Sequence, residues 1–295
     1  MKVDYDYVII GSGFGGSVSA LRLSQKGYKV LVVEKGKWYT AKDFPKTNWN
    51  FRKWLWLPRI RFFGIMKLTI FRHIAVLSGT GVGGGSLVYA NTLPIPKTTF
   101  FKTGSWSTLH DWEKELAPYY KLALKMLGAA KTPKLFDGDI ALKNVAKKLG
   151  LDDKFDATNV AVYFGEENVT VADPYFDGQG PERTGCNYCG ACMTGCRNNS
   201  KNTLDKNYLH LAQQHGVEIL AENEVYDVRP IKDAAGTNGY GIALKTSTKL
   251  ITKRKKITSK GVIFSGGVLG TVKLLLKLKK TSLPNISDRL GQDIR

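Results

Sequence analysis

Apolar positions near the N-terminus come in two short unbroken runs, Tyr7-Val8-Ile9-Ile10 and Val30-Leu31-Val32-Val33. Runs this short and continuous predict parallel strands buried on both faces. Between them Val18, Leu21 and Leu23 lie among small residues, which predicts a helix stopped by Gly27. Helical spacing returns from Trp106 to Gly150. Asp111 caps one segment carrying Trp112, Leu116, Tyr119, Tyr120 and Leu124 as far as Gly128, and Asp139 caps a second with Ile140, Val145 and Leu149 on one face. Short apolar runs broken by Gly, Pro and Asp predict strands and irregular loops between Phe155 and Arg183. A helix starting at Asn202 or Thr203 carries Leu204, Tyr208, Leu209, Leu211 and Ala212 and closes at Gly216. Val217 to Leu220 reads as the next parallel strand. Three strands then follow as a meander, Glu224 to Ile231, Tyr240 to Ser247 and Leu250 to Thr258, the first two joined by the turn Asp233 to Gly239. Gly261 to Phe264 is a further buried strand, and Ser265-Gly266-Gly267 leads into a helix from Val268 to Leu278. The order predicts an α/β fold with a parallel sheet.

The first strand runs into Gly11-Ser12-Gly13-Phe14-Gly15-Gly16, a G-x-G-x-x-G turn, and the second ends in Glu34, 18 residues past Gly16. Each part suits an adenine dinucleotide. Gly11 permits the turn, Gly13 lets the backbone approach a pyrophosphate, and Gly16 lets helix and strand pack closely. The N–H groups at the helix start face the phosphates. A carboxylate at position 34 can accept both ribose hydroxyls and would repel a 2′-phosphate. With a β-meander as its crossover, such a fold is that of a two-step flavin domain of the glutathione-reductase type.

A second glycine stretch runs Gly79-Thr80-Gly81-Val82-Gly83-Gly84-Gly85-Ser86, five glycines in seven residues from position 79. Such a loop supplies backbone donors and can lie against a flat ring system or a phosphate. It is expected to complete the same pocket. From Trp38 to Phe71 bulky aromatics alternate with Arg and Lys. They could line a pocket for a large apolar substrate, dock on a bilayer surface, or form core and interface.

Cys186, Cys189, Cys192 and Cys196 have the spacing C-x2-C-x2-C-x3-C of an iron–sulfur ligand loop. Arg197 stands where the ferredoxin run has proline, and no further cysteine exists to complete a second set. Reduced packing thiols, zinc and a disulfide are the alternatives. The formal charge of +19 is partly concentrated after Lys249. No nucleic-acid-binding motif accompanies it, which leaves a solvated basic surface or a weak attraction to an anionic membrane. At 295 residues and 43% hydrophobic content the composition is that of a globular protein. The absence of a leader at Met1 to Asp6, of a transmembrane run and of a disulfide framework predicts a cytoplasmic location. The chain stops at Gln292-Asp293-Ile294-Arg295 with no capping signal, as if in mid-fold.

These residues together resemble the glucose–methanol–choline (GMC) oxidoreductase family, in particular its bacterial cholesterol-oxidase-like branch. The resemblance is carried by Gly11 to Glu34, Leu77 to Asn91, Asp173-Pro-Tyr-Phe176, Arg183 to Arg197, Lys201 to Tyr208 and Ser265 to Thr271. It implies FAD, with Gly11, Gly13, Phe14, Gly15 and Gly16 at the pyrophosphate and Glu34 at the adenosine ribose. It also implies Gly83, Gly84, Gly85, Ser86 and Asn91 near pyrophosphate and flavin, Val225 by the adenine through its backbone, and Ser265, Gly266 and Gly267 bordering the cofactor. The division it implies is an FAD-binding domain from 1–40, 76–92 and 203–295, with an inserted α+β cap or substrate region from 41–75 and 93–202. The activity implied is FAD-dependent oxidation of a CH–OH group in a bulky alcohol or sterol, with O2 or another acceptor. The family's catalytic His and Asn lie in a later half. His73, His110, His210 and His215 match neither, so the chain resembles an N-terminal portion. A flavin/iron–sulfur dehydrogenase serving a protein partner and an FAD-binding remnant without turnover are the competing expectations.

Overall fold

The structure is a computed structural model and describes residues 3–292. Met1 and Lys2 of the stretch read for a leader, and Asp293 to Arg295 of the uncapped end, lie outside them. The described chain divides into two compact units: residues 1–89, 191–197 and 203–295, and residues 90–190 and 198–202.

The larger unit is mixed α/β. It contains β1 (Tyr5–Ile10), α1 (Phe14–Gln25), β2 (Val30–Val33), β3 (Met66–Ile70), β4 (Ala75–Gly79), α2 (Tyr208–Gln214), β5 (Glu218–Leu220), β6 (Asn223–Pro230), β7 (Tyr240–Thr246), β8 (Arg254–Phe264) and α3 (Gly267–Lys279). Six strands form one sheet in the order β5-β2-β1-β8-β7-β6. The strands from β5 to β8 pair in parallel, and β8, β7 and β6 pair antiparallel as the meander. The apolar runs sit where their continuity requires: Val8, Ile9 and all of β2 are buried. Val8, Leu31, Val33, Val225, Val228, Ile242, Leu244, Ile257 and Leu278 make one core.

Two expectations are corrected. The strands expected at Leu250–Thr258 and Gly261–Phe264 are one strand, β8. Its N-terminal half pairs antiparallel with β7 and its C-terminal half parallel with β1, and Ser259 faces Tyr240 on one side and Tyr5 on the other. Gly261 does not interrupt it: it pairs with Tyr7, whose ring lies 2.8 Å from where a side chain of residue 261 would begin. The helix expected from Asn202 or Thr203 is a short turn at Leu204–Lys206 followed by α2. The break falls at Asn207, φ −137° and ψ −97°, whose Oδ1 accepts from the Tyr208 N–H at 2.6 Å. Asn and Asp side chains compete with helical backbone bonds in this way.

The segment 41–75, expected with the insertion, is counted with the larger unit. Phe44, Ile65 and Met66 pack with Leu87 and Val88 in a second core cluster that Tyr39 and Trp54 join. The aromatic run is therefore split. Trp56 is buried, whereas Trp49, Phe51 and Phe71 are exposed. No helix among the described residues is long and apolar enough to cross a membrane.

The smaller unit carries the helices Trp112–Met126 and Asp137–Lys148 and two short antiparallel pairs. Asp111 caps the first as expected, accepting from the Lys114 N–H at 3.2 Å. Asp139 is not the cap of the second. It lies in the first turn and accepts from the Phe136 N–H at 2.9 Å, and Ile140, Val145 and Leu149 are exposed. Arg183, fully buried, donates through Nε to Asn202 Oδ1 at 2.8 Å and through a terminal nitrogen to the carbonyls of Pro181 and Glu182.

In the same unit Asp173 organises the loop it opens. Its Oδ1 accepts from the Tyr175 N–H, and its Oδ2 from the N–H groups of Phe176, Gly178 and Gly180, at 2.8–3.1 Å. Burial opposes its ionisation, but the four donors outweigh burial and hold the carboxyl below its ordinary range. Stability from this group is then fully present above the unfolded carboxyl's pKa of about 3.9 and is lost as pH falls through the lower folded value. Asp173→Asn would turn an amide nitrogen toward at least one of these N–H donors and remove the charge from the other bonds. It is expected to lower stability by about 2 kcal/mol at neutral pH and to flatten the acid limb of a stability–pH curve measured by urea unfolding.

Candidate functional site

Three glycine-rich segments of the larger unit meet at the N-terminus of α1. The first is the turn after β1. Gly11 stands at φ +103°, and a Cβ there would lie 2.4 Å from the carbonyl oxygen of Ser265, the first residue after β8. A Cβ at Gly16 would lie 2.0 Å from the Gly11 oxygen. These two glycines bring strand, helix and the 265–267 segment into contact. Gly13 differs from both: nothing lies within 4 Å of the position its Cβ would take. α1 has no acidic residue in its first turn, so its positive end is not neutralised from within the helix.

The second glycine stretch packs directly on this turn. A Cβ at Gly84 would stand 2.8 Å from Gly13 Cα, and the Phe14 and Tyr89 rings meet edge to face at 5.7 Å. Burial, then the neighbouring Cys192, hold the Tyr89 phenol above its ordinary pKa. Ser12, fully buried, joins the two loops to the end of β2. Its Oγ donates to Glu34 Oε2 at 2.7 Å and accepts from the Gly83 N–H at 3.1 Å. Its own N–H donates to the same Oε2 at 3.1 Å, and Glu34 Oε1 accepts from the Gly36 N–H at 2.8 Å. Glu34, read as a ribose acceptor, is therefore first a junction of the protein itself, with Oε1 accepting a single bond. Ser12 was not among the expected site residues. The signal for it was its place between Gly11 and Gly13, where only a small hydroxyl reaches both a carboxylate and the next loop.

The other expected residues are distributed as follows. Gly85 has only the Phe14 ring near its missing side chain, at 3.9 Å, and Gly267, at φ +69°, has nothing within 4 Å. Gly266 donates its N–H to Thr271 Oγ1 at 3.0 Å, and Ser265 Oγ lies 3.6 Å from a Cβ built on Gly15. Ser86 is buried and its Oγ is used internally, donating to Gly83 O at 2.7 Å and accepting from the Leu204 N–H at 3.0 Å. Val225 is buried in the sheet core beside a bulge in β6. Asn91 belongs to the smaller unit, at φ +65° with its backbone oxygen bonded to the Ala161 N–H at 2.9 Å.

A dinucleotide fits what the larger unit presents. The space over Gly13 is a cradle that any side chain would fill, with helical N–H donors behind it. Buried polar atoms without protein partners, Thr80 Oγ1, Asp205 Oδ1 and Asn207 Nδ2, belong to the second glycine stretch and the turn that packs on it. A Cβ on Gly83 would be 3.7 Å from Asp205 Oδ1.

For the cysteines nothing among the described residues supports a metal. None of the four is in a disulfide. Cys186 and Cys189 belong to the smaller unit and Cys192 and Cys196 to the larger. Among the described residues no group of three or more His, Cys, Asp or Glu side chains is placed to hold an ion. Gly195, at φ +108°, leaves room for the Phe44 ring, which a Cβ would meet at 2.2 Å, so the glycines of this run also serve packing.

Comparison with known proteins agrees with this geometry. The profile of the GMC oxidoreductase family matches residues 5–290. A cholesterol oxidase of Acinetobacter baumannii is 45% identical over 99% of this chain and 54% of its own length. One of Mycobacterium tuberculosis is 44% identical over 99% of this chain and 51% of its own length. A long-chain-alcohol oxidase of Arabidopsis thaliana is 27% identical over 94% of this chain and 34% of its own length. The chain thus spans about half the length of the cholesterol oxidases it matches. A solved fungal aryl-alcohol oxidase shares the fold, with a TM-score of 0.50, 16% identity and coverage of 93% of this chain and 47% of that one.

Proposed function

We propose, from the premise that this chain belongs to the GMC oxidoreductase family, that it forms the FAD-binding part of an oxidoreductase acting on the CH–OH group of a bulky alcohol or sterol. The observation that carries the reading is the contact of the second glycine loop with the first at Gly13, whose side-chain direction stays open. When bound, FAD supplies the acceptor for a hydride from the carbinol carbon, with O2 or another acceptor restoring it. The chain's own residues bind and orient. The α1 N–H groups and Gly13 take the pyrophosphate, Oε1 of Glu34 takes a ribose hydroxyl, and the 83–86 and 265–267 segments border the ring system. Asn91 and the backbone of Val225 belong to the same reading, at flavin and adenine. The CH–OH class and the preference for an apolar alcohol rest on what the curated relatives are named to oxidise.

No group of this chain is assigned to take the alcohol proton, so binding and turnover separate experimentally. The purified chain is expected to retain FAD, read from the flavin absorbance, with no bleaching of that absorbance by cholesterol or a long-chain alcohol under anaerobic conditions. A colourless protein that takes up no added FAD would overturn the proposal. Iron and acid-labile sulfide, assayed on anaerobically prepared protein, are expected to be absent. Replacing Cys186, Cys189, Cys192 and Cys196 together by Ser should leave the flavin content within about twofold of the parent, an affinity change of under about 0.4 kcal/mol. Stoichiometric iron would revive the electron-transfer alternative.

A further inference from the structure

The basic, aromatic stretch after Glu34 is not absorbed by the nucleotide cradle. It builds a cleft of about 390 Å³ in the larger unit, lined by Lys37, Arg52, Arg61 and Lys249 with Phe63 and Glu222. A neighbouring cleft of about 440 Å³ shares Lys37, Arg52, Arg61 and Phe63 and adds Trp38, Lys53 and one carboxylate, Asp43, which the Thr40 N–H and hydroxyl hold. No residue of the Gly11–Gly16 turn lines either one.

Three observations give this cleft a chemical character. First, it is basic and its cations are not ion-paired: four of them face the single carboxylate of Glu222, and among the described residues none of Lys37, Arg52, Arg61 and Lys249 makes an ion pair. The carboxylate facing them, Glu222, is itself hydrogen-bonded by Thr248 Oγ1. Second, both walls hold non-glycine residues in the left-handed region, Arg61 at φ +60° and Glu222 at φ +57°. Strained backbone of this kind persists where the surroundings over-determine it, and it clusters at ligand clamps. Third, one cation and the facing wall are held. Lys37 Nζ lies 5.2 Å over the Phe63 ring, and the Glu222 N–H donates to Gly36 O at 2.9 Å, which fixes the wall to the strand end that carries Glu34.

We infer that this cleft is a second anion site, for a phosphate-bearing ligand whose phosphoryl oxygens sit between Arg52, Arg61, Lys37 and Lys249. Two planar guanidinium forks and two ammonium groups suit several phosphoryl oxygens at once, where a single carboxylate would leave most of the charge unpaired. The phosphate can come from a small soluble compound or from a phospholipid headgroup. Leu250 and Ile251, about 80% exposed beside Lys249, are apolar neighbours that only the second source would use.

The test uses the full chain saturated with FAD, so that the α1 cradle is filled, with flavin content read separately from its absorbance. A loss of flavin bears on the proposed function, and a loss of anion binding bears on this site. Inorganic pyrophosphate is titrated calorimetrically, and vesicles of phosphatidylglycerol or phosphatidylcholine are co-sedimented with the protein. Pyrophosphate binding assigns a soluble ligand, and binding to phosphatidylglycerol vesicles alone assigns a headgroup. In either case Arg52→Ala with Arg61→Ala should weaken binding at least about tenfold, and Lys147→Ala with Lys148→Ala should not. If the arginine pair misfolds by circular dichroism, Lys37→Gln with Lys249→Gln takes its place. The inference fails if neither probe binds, if both vesicle types bind equally, or if the cleft substitutions leave binding unchanged.

Discussion

Gly16→Val is expected to prevent stable assembly of the nucleotide-binding unit, whereas Gly13→Val, three residues earlier, is expected to leave it folded and unable to hold FAD. The difference is geometric. At Gly16 even a methyl carbon would stand 2.0 Å from the Gly11 carbonyl oxygen and 3.3 Å from Ile9 Cγ2, and neither a strand-end carbonyl nor a fully buried isoleucine can move aside. Forcing α1 off β1 breaks the first crossover of the sheet, and a penalty of about 3 kcal/mol or more is a large part of the 5–15 kcal/mol a domain has in total. At Gly13 the first of the added atoms, the Cβ, would have nothing of the protein within 4 Å. They occupy the space proposed for the pyrophosphate, so stability should change by less than about 1 kcal/mol while FAD affinity falls at least about a hundredfold. Urea unfolding and flavin titration on the two variants measure both quantities. Equal FAD retention by Gly13→Val would move the cofactor away from α1.

Glu34→Gln carries the second large effect. The carboxylate takes three hydrogen bonds from buried donors, the N–H and hydroxyl of Ser12 and the N–H of Gly36. An amide can replace only one of its two oxygens. Its NH2 group must face either the Ser12 donors or the Gly36 donor, and both are buried. Losing charge-assisted bonds and leaving a donor unmatched is expected to destabilise the unit by about 2–4 kcal/mol. Because Ser12 Oγ also accepts from the Gly83 N–H, the second glycine loop should loosen with it. A double-mutant cycle with Ser12→Ala, read by thermal unfolding, should give a coupling of about 1 kcal/mol or more. Additive effects would mean that Glu34 serves the ligand alone.

Much of this arrangement is legible in the chain itself. Continuous apolar runs at 7–10 and 30–33 specify strands buried on both faces, and the glycine spacing between them specifies a turn that only a close helix–strand contact demands. What could not be read depends on neighbours distant in the sequence. Gly261 looks like a strand break until the Tyr7 ring, packed where its side chain would be, explains it. Ser12 is one small polar residue among many until Glu34 and Gly83 converge on it. The cysteine spacing suggests a ligand loop, yet spacing says nothing about where the thiols point, and among the described residues no three ligating side chains are grouped to hold an ion. Local patterns name the elements, and contacts across tens to hundreds of residues decide what each polar group does.

The strand that changes partners midway has a consequence for biosynthesis. β1 leaves the ribosome first, but its neighbour on one side, β8, is made some 250 residues later, and the register Tyr5–Ser259 cannot exist before then. Until that moment the turn at Gly11 lacks the Ser265 carbonyl that closes it. Vectorial folding therefore cannot finish this unit from its N-terminus, and closing so long a loop delays the sheet. Nascent chains released before Phe264 should expose an unpaired central strand, an invitation to chaperones or to aggregation. A nucleotide seated on the Gly11 turn, as proposed, would have to wait until Ser265 has been made.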